Sequence, residues 1–546
     1  MEELLAVVVL GLVCIAFATL AGPRLGIAAP LLLVGLGVAA SLVPGVPELE
    51  ISPEVILSGI IPPLLYAAAV SIPAADFRRE FRSISGLSIV LVIISTVLIG
   101  LMFHWLIPDL ALPWAFALGA IVSPTDAVAT GIIRRLGVNP RVVTVLEGES
   151  MLNDAVALVL LRGAVAAAAV AVTLGGLTLA FLYSVAFAVL VGWAVGRLHL
   201  MVRKRIADPV VSTVISFTVP FVASIPADLL GASGLVAAVV AGLTTGRGAA
   251  RALGPQERVS DATTWKALEL VLEGSVYLIM GLELLGVLDE VREKDEGVSR
   301  AFWIAAVTLL ATLVVRSGFV APLVWQIHRR ALRAERIQPR VTAFRERVDA
   351  AASTTAIVLP KRARRWHGLG KDLASRDQMR DRFTKLEADI SYLLTQPLGW
   401  REGSVIVWAG MRGVVTIAAA QTLPRDAPNR ALLVLIAFLV AIGSLMLQGG
   451  TMGPVLRWLK PAPGPTEAEI AEESKRLSEL IAEPAQEALE QFRASDPVHN
   501  RKAERLVWVL ARREALLDVR DLGTFSAAVI EAELKRLDAE QIRLEM

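Results

Sequence analysis

The sequence predicts an all-α polytopic membrane protein of about thirteen transmembrane helices, with further helical segments in the cytoplasm. Three observations carry this. Of the 546 residues 55% are hydrophobic and the mean hydropathy is positive, far from a soluble domain, where about a quarter of the residues are charged. Apolar windows long enough to cross a bilayer, roughly 20 residues, recur along the chain. Lys and Arg cluster in alternate connections between those windows.

The windows fall near 4–21, 27–44, 54–71, 84–107, 113–131, 142–161, 177–200, 209–225, 231–245, 264–286, 301–325, 403–422 and 429–458. Pro220, Pro226 and Asp228 interrupt the eighth and ninth. The first follows Met-Glu-Glu with no basic start and no small-residue cleavage site, so it reads as a retained helix and not a signal peptide. Basic loops stay in the cytoplasm. Arg24, the loop with Arg78, Arg79 and Arg82, Arg134 and Arg135, Arg203 to Arg205, Arg247 to Arg258 and the segment 326–403 all fall on one side. Glu48 and Glu50, Asp109, a turn at Gly175 and Gly176, Asp228 and the stretch Asp289 to Glu296 fall on the other. Thirteen spans then place the N-terminus outside and the C-terminal tail inside the cell membrane.

The domains follow: spans 1–11 in residues 1–325, a cytoplasmic helical insertion at 326–402, spans 12 and 13 in 403–460, and a cytoplasmic helical tail at 461–546. The insertion carries 17 Lys and Arg against 9 Asp and Glu between Ile327 and Glu402. The tail has apolar residues at helical spacing, Ile470, Leu477, Leu480 and Ile481. Both read as solvated helices packing on each other. With one cysteine, Cys14, and five scattered histidines, the chain offers no internal disulfide and no zinc site of usual spacing. No cofactor and no nucleic-acid partner are expected.

Ionisable residues at membrane depth cost about 2.5–3.5 kcal/mol each at a helix centre, so each needs a partner or a purpose. The fifth span contains Ser123-Pro124-Thr125-Asp126. Proline removes a backbone donor and clashes with the carbonyl four residues back, so this helix should break near Val122. Such a break is tolerated only facing protein or a water-filled cavity, and an unwound segment bearing a carboxylate outlines a cation site. In the sixth span, Glu147 to Asp154, Ser150 and Asp154 share one helix face while Glu149 and Asn153 share the next. Asp154 lies ~18 Å along the helix from Arg141, near the midplane, at a depth comparable to Asp126. Two carboxylates, a hydroxyl and freed carbonyls suit a hard cation.

Arg316 is too deep in the eleventh span to snorkel, and Glu149 is the acid expected to pair with it. Arg412, between Gly410 and Gly413, also needs compensation and marks a second expected break, in the twelfth span. Setting the seventh span aside as a linker leaves two inverted six-helix repeats with the breaks in corresponding helices, which points to a transporter with its site where the broken helices cross. Glu273 and Glu283 in the tenth span are read as structural or interface acids. Asp126 and Asp154 could form the dyad of an intramembrane aspartyl protease, but the Gly-x-Gly-Asp context is missing and no enzyme is expected; no filter-like re-entrant segment suggests a channel.

Taken together, Ser-Pro-Thr-Asp at 123–126, Gly-Glu-Ser-Met-Leu-Asn-Asp at 148–154, Arg316 and Gly-Met-Arg-Gly at 410–413 resemble the cation/proton antiporters that include bacterial NhaP and the animal NHE exchangers, over roughly residues 5 to 458. The resemblance implies exchange of Na+, or of Li+ or K+, for H+. It implies Asp154 as the essential carboxylate, with Asp126, Thr125 and Ser150 as further ligands, and Glu149 and Arg316 as a structural ion pair. Asn153 before Asp154 resembles the branch that exchanges one cation for one proton electroneutrally. A homodimer, elevator-like movement of spans 4–6 and 11–13, and a role in pH and cation homeostasis are implied as well. Two departures stand out. Pro62-Pro63-Leu64-Leu65-Tyr66 leads to Ala67 where many members have glutamate, and the insertion at 326–402 replaces a short loop.

Overall fold

The computed structural model describes residues 2–25, 28–43, 52–126, 128–169, 174–206, 208–293, 297–350, 376–495 and 500–546. The expected acidic loop residues Glu48, Glu50, Asp295 and Glu296 lie outside them. The chain divides into two compact units, Met1–Pro322 with Trp400–Gly464, and Leu323–Gly399 with Pro465–Met546.

The described residues of the predicted windows lie largely on helices, some of them interrupted. Helices α1 (Glu2–Leu25) and α2 (Ala29–Ser41) are followed by a π-helical turn that leads into α3 (Ile61–Ser71). Next, α4 (Ala74–Ser85) continues through a second π-turn into α5 (Leu91–Leu106). Arg78, Arg79 and Arg82 therefore lie on a helix, not in the predicted loop: α4 is amphipathic, burying Glu80, Ser83 and Ile84 while Arg78 and Arg82 are exposed. The interrupted helix comprises α6 (Leu112–Ile121) and α7 (Val128–Arg135). Then come α8 (Pro140–Ala169), α9 (Leu174–Arg203), α10 (Pro209–Leu229), α11 (Gly234–Ala252), α12 (Pro255–Glu293) and α13 (Val298–Ala350). Gly175 and Gly176, expected in a turn, belong to the first turn of α9, where the N–H groups have no intrahelical partner to lose. Pro220 and Pro226 sit inside an unbroken α10, capped at its start by Asp208.

Among the described residues, seven helices are long and apolar enough to cross a membrane, from Ala74–Leu106 to Arg430–Leu459, and four shorter apolar helices accompany them. The first unit packs as two bundles. In one, α11 lies against α9, α10 and α3, and α12 against α2. Gly37 and Gly281 allow the second contact, because a Cβ at either would fall 2.3 Å from a backbone oxygen of the facing helix. In the other bundle α8 packs on α4 and α6.

In the second unit, α14 (Arg376–Thr395) packs through Ile390 on Ala334 and Val341 of α13. Its remaining helices are α19 (Glu467–Ser495), α20 (Arg501–Leu522) and α21 (Ala527–Glu545). They share a core of Leu477, Ile481, Val509, Leu516, Val529 and Leu537. One buried ion pair, Arg512 to Glu533 at 3.1 Å, crosses it.

Between these parts, α15 (Trp400–Trp408), α16 (Val414–Gln421), α17 (Arg430–Ser444) and, after a third π-turn, α18 (Gly450–Leu459) belong to the first unit.

Candidate functional site

Two helices break at the same place in space. After α6, Val122 caps the helix and residues 123–126 are non-helical before α7; after α15, residues 409–413 are non-helical before α16. Pro124 and the glycines at 410 and 413 cause the breaks, the first by lacking a donor and the others by their low helix propensity. The two breaks are joined backbone to backbone, the Asp126 N–H donating to the Met411 carbonyl at 2.7 Å.

Each break leaves carbonyls without helical partners, carrying the negative end of a helix dipole. Arginines take them. Arg412 donates through Nε to the Val122 carbonyl at 3.0 Å and through a terminal nitrogen to the Gly410 carbonyl. Arg316 donates through Nε to the Ile406 carbonyl at 3.0 Å. The compensation that Arg412 needs at this depth thus comes from backbone: the residue is 2% exposed, and its guanidinium is matched by the broken ends of α6 and α15.

The opposite ends of the breaks, where α7 and α16 begin, carry positive dipole ends. Asp126 serves both. Its Oδ1 accepts from the Val128 N–H at 3.3 Å, and its Oδ2 accepts from the hydroxyl of Tyr277 on α12. Gly413, which caps α16, lies so close that a Cβ there would fall 1.6 Å from Oδ2. Only glycine fits.

Helix α8 passes beside the crossing. Glu149 and Arg316 form a buried ion pair, with Arg316 bonding both carboxylate oxygens, one of them at 2.8 Å. The Thr125 hydroxyl donates to Glu149 Oε1 at 3.1 Å and accepts from Asn153 Nδ2 at 2.6 Å, and Asn153 Nδ2 also reaches the Thr125 carbonyl at 3.3 Å. The face carrying Glu149 and Asn153 thus braces the Ser-Pro-Thr-Asp segment. On the neighbouring face Asp154 is 7% exposed and Ser150 8% exposed. The Asp154 carboxylate has no hydrogen-bond or ion-pair partner among the described residues, and Asp126 is its charged neighbour.

The structure therefore brings together Thr125, Asp126, Glu149, Ser150, Asn153, Asp154, Arg316 and Arg412. Glu283 accepts a hydrogen bond from Gln421, and Glu273 has no hydrogen-bond partner among the described residues. Sequence reasoning misses Tyr277: one tyrosine in an apolar helix reads as packing, and no spacing in the sequence points it at Asp126.

Architecture and site together define a polytopic helical membrane protein built around two crossed, interrupted helices. Solved structures of the sodium proton antiporter MjNhaP1 from Methanocaldococcus jannaschii share this fold. The pH 8 structure matches over 84% of this chain and 99% of that one, with a TM-score of 0.54 and 16% identity. The family model described as "Sodium/hydrogen exchanger, transmembrane" matches residues 8–351 and 388–458. The chain belongs to that sodium/hydrogen exchanger family. Among individual relatives, the Na+/H+ exchanger YjcE of Escherichia coli is 38% identical over 251 residues, 44% of this chain and 46% of that protein. A Na+/H+ exchanger of Mycobacterium tuberculosis is 28% identical over 84% of this chain and 74% of its own. The "sodium, potassium, lithium and rubidium/H(+) antiporter" of Bacillus subtilis is 30% identical over 47% of this chain and 40% of its own.

Proposed function

We propose that this protein exchanges a monovalent cation, Na+ first among the candidates, for H+ across the cell membrane, with Asp154 as the carboxylate both ions use. One observation carries the reading: Asp154, a buried carboxylate with no hydrogen-bond or ion-pair partner among the described residues, stands beside a crossing where Asp126, Glu149, Arg316 and Arg412 are each hydrogen-bonded. A bare anion at membrane depth is costly, and either a proton or a cation relieves the cost. One group then couples two ions, because occupation by one excludes the other.

In this reading Thr125, Asp126, Ser150 and Asp154 contribute oxygen ligands, with the Thr125 hydroxyl acting within its bonds to Glu149 and Asn153. Asn153, Glu149, Arg316 and Arg412 hold the frame. Exchange is one for one and electroneutral, with Asp154 carrying the exchanged charge. The chain works as a homodimer in the inner membrane and serves pH and cation homeostasis. It crosses thirteen times as two inverted repeats, with the N-terminus outside and both helical appendages cytoplasmic. The broad cation range in the name of the Bacillus subtilis relative supports testing K+ and Li+ beside Na+. The experiment is dequenching of a pH-sensitive dye in everted vesicles with each cation in turn. Cation-dependent dequenching in vesicles holding this chain and not in empty controls is expected; its absence for all three cations contradicts the reading.

A further inference from the structure

Tyr277 is 1% exposed, and its hydroxyl donates to Asp126 Oδ2. A buried hydroxyl is costly unless bonded, and phenylalanine would fill the same space without that cost. The hydroxyl is therefore explained by what it bonds. The face of α12 that presents Tyr277 also carries Glu273 one turn away and Glu269 two turns away, spaced by four residues. Asp126 and Glu269 are the charged neighbours of Glu273. An acidic helix face meets an acidic crossing, and the tyrosine hydroxyl is the neutral donor bridging them. Asp126 Oδ2 is boxed between this hydroxyl and the Cα of Gly413.

A donor hydrogen bond on a carboxylate oxygen meets the same need as a cation beside it. With Gly413 packed against the other side of Oδ2, that oxygen has room for only one of the two. Resting on the exchange proposed above, we propose that Tyr277 is a positioning residue that holds Asp126, and that its hydrogen bond must break for the cation to take Oδ2 of Asp126 as a ligand. Tyr277 thereby sets how tightly the cation binds without contacting it.

The test is Tyr277→Phe in proteoliposomes, with wild type alongside to establish exchange itself. Loss of the competing donor should lower the apparent KM for Na+ about tenfold, the scale of one hydrogen bond to a charged group, with the saturating rate within about twofold of wild type. An unchanged KM, whatever happens to thermal stability, overturns the proposal, because a packing role would leave KM alone. A raised KM also overturns it, since Tyr277 would then be a cation ligand. Exchange by wild type with either of these results leaves the proposed function standing and removes only this inference. Should Tyr277→Phe not fold, infrared difference spectra of the wild type with and without Na+ decide. The chain has 4 tyrosines, so ring-labelled tyrosine gives a readable C–O(H) band. Na+ should shift that band in wild type and not in Asp126→Asn; no shift in wild type overturns the proposal.

Discussion

Two buried polar centres of the membrane unit treat their acids in opposite ways. Between α9, α10 and α12, the fully buried Arg203 side chain donates to Ser212 and to Asp261, each at 2.5 Å. Asp261 also accepts from Thr213 at 2.8 Å. Glu257 accepts from Ser212 at 2.5 Å and from the Gly254 N–H at 2.7 Å. Each carboxylate there has at least two donors. At the helix crossing Asp126 is also matched, yet the buried Asp154 has no donor among the described residues. A matched buried acid is a brace, its charge settled by the fold. A bare one must settle its charge with something the chain does not supply.

The largest expected effect separates these two kinds. Asp154→Asn keeps the size and a polar end but removes the charge and the titrating proton. Na+-driven proton flux in proteoliposomes should fall to the level of empty vesicles while the folded protein remains, and substantial residual flux would dissolve the contrast. The braces should behave differently. Glu149→Gln or Arg316→Gln leaves one charge buried and unpaired, with an expected loss of about 3–5 kcal/mol, read as a lowered Tm in detergent. The double variant should recover much of that loss; a double as unstable as the sum of the singles means the two do not act as a pair. Asp261→Asn removes the charged partner of the fully buried Arg203 and should cost stability on the same scale, about 3–5 kcal/mol. Apparent KM for Na+ should not move, and a several-fold change would mean the α9–α12 centre takes part in binding.

Much of this was legible from residue types. Pro124 had to break its helix, Gly410 and Gly413 marked the second break, and Arg316 was too deep to be satisfied by anything but a buried acid. Their order along the chain carried the family resemblance. Contacts that depend on three-dimensional approach were not legible. A sequence says only that a buried arginine needs compensation, whereas the carbonyls of Val122 and Gly410 become partners for Arg412 once two breaks meet. Tyr277 reaches Asp126 across 151 positions and leaves no periodic trace. The appendages show the same limit: helical spacing predicted helices at 326–402 and 461–546, but the grouping of Leu323–Gly399 with Pro465–Met546 into one compact unit rests on tertiary contacts.

If one carboxylate serves both ions, a proton and Na+ must compete for it. The direct measurement is the apparent KM for Na+ in proteoliposomes from pH 6 to pH 9 with equal pH on both sides. Competition at Asp154 requires that KM rise as pH falls while the saturating rate changes less. A KM that stays flat across that range would contradict the shared carboxylate and require a separate proton carrier, with Asp126 and Glu273 the first side chains to examine.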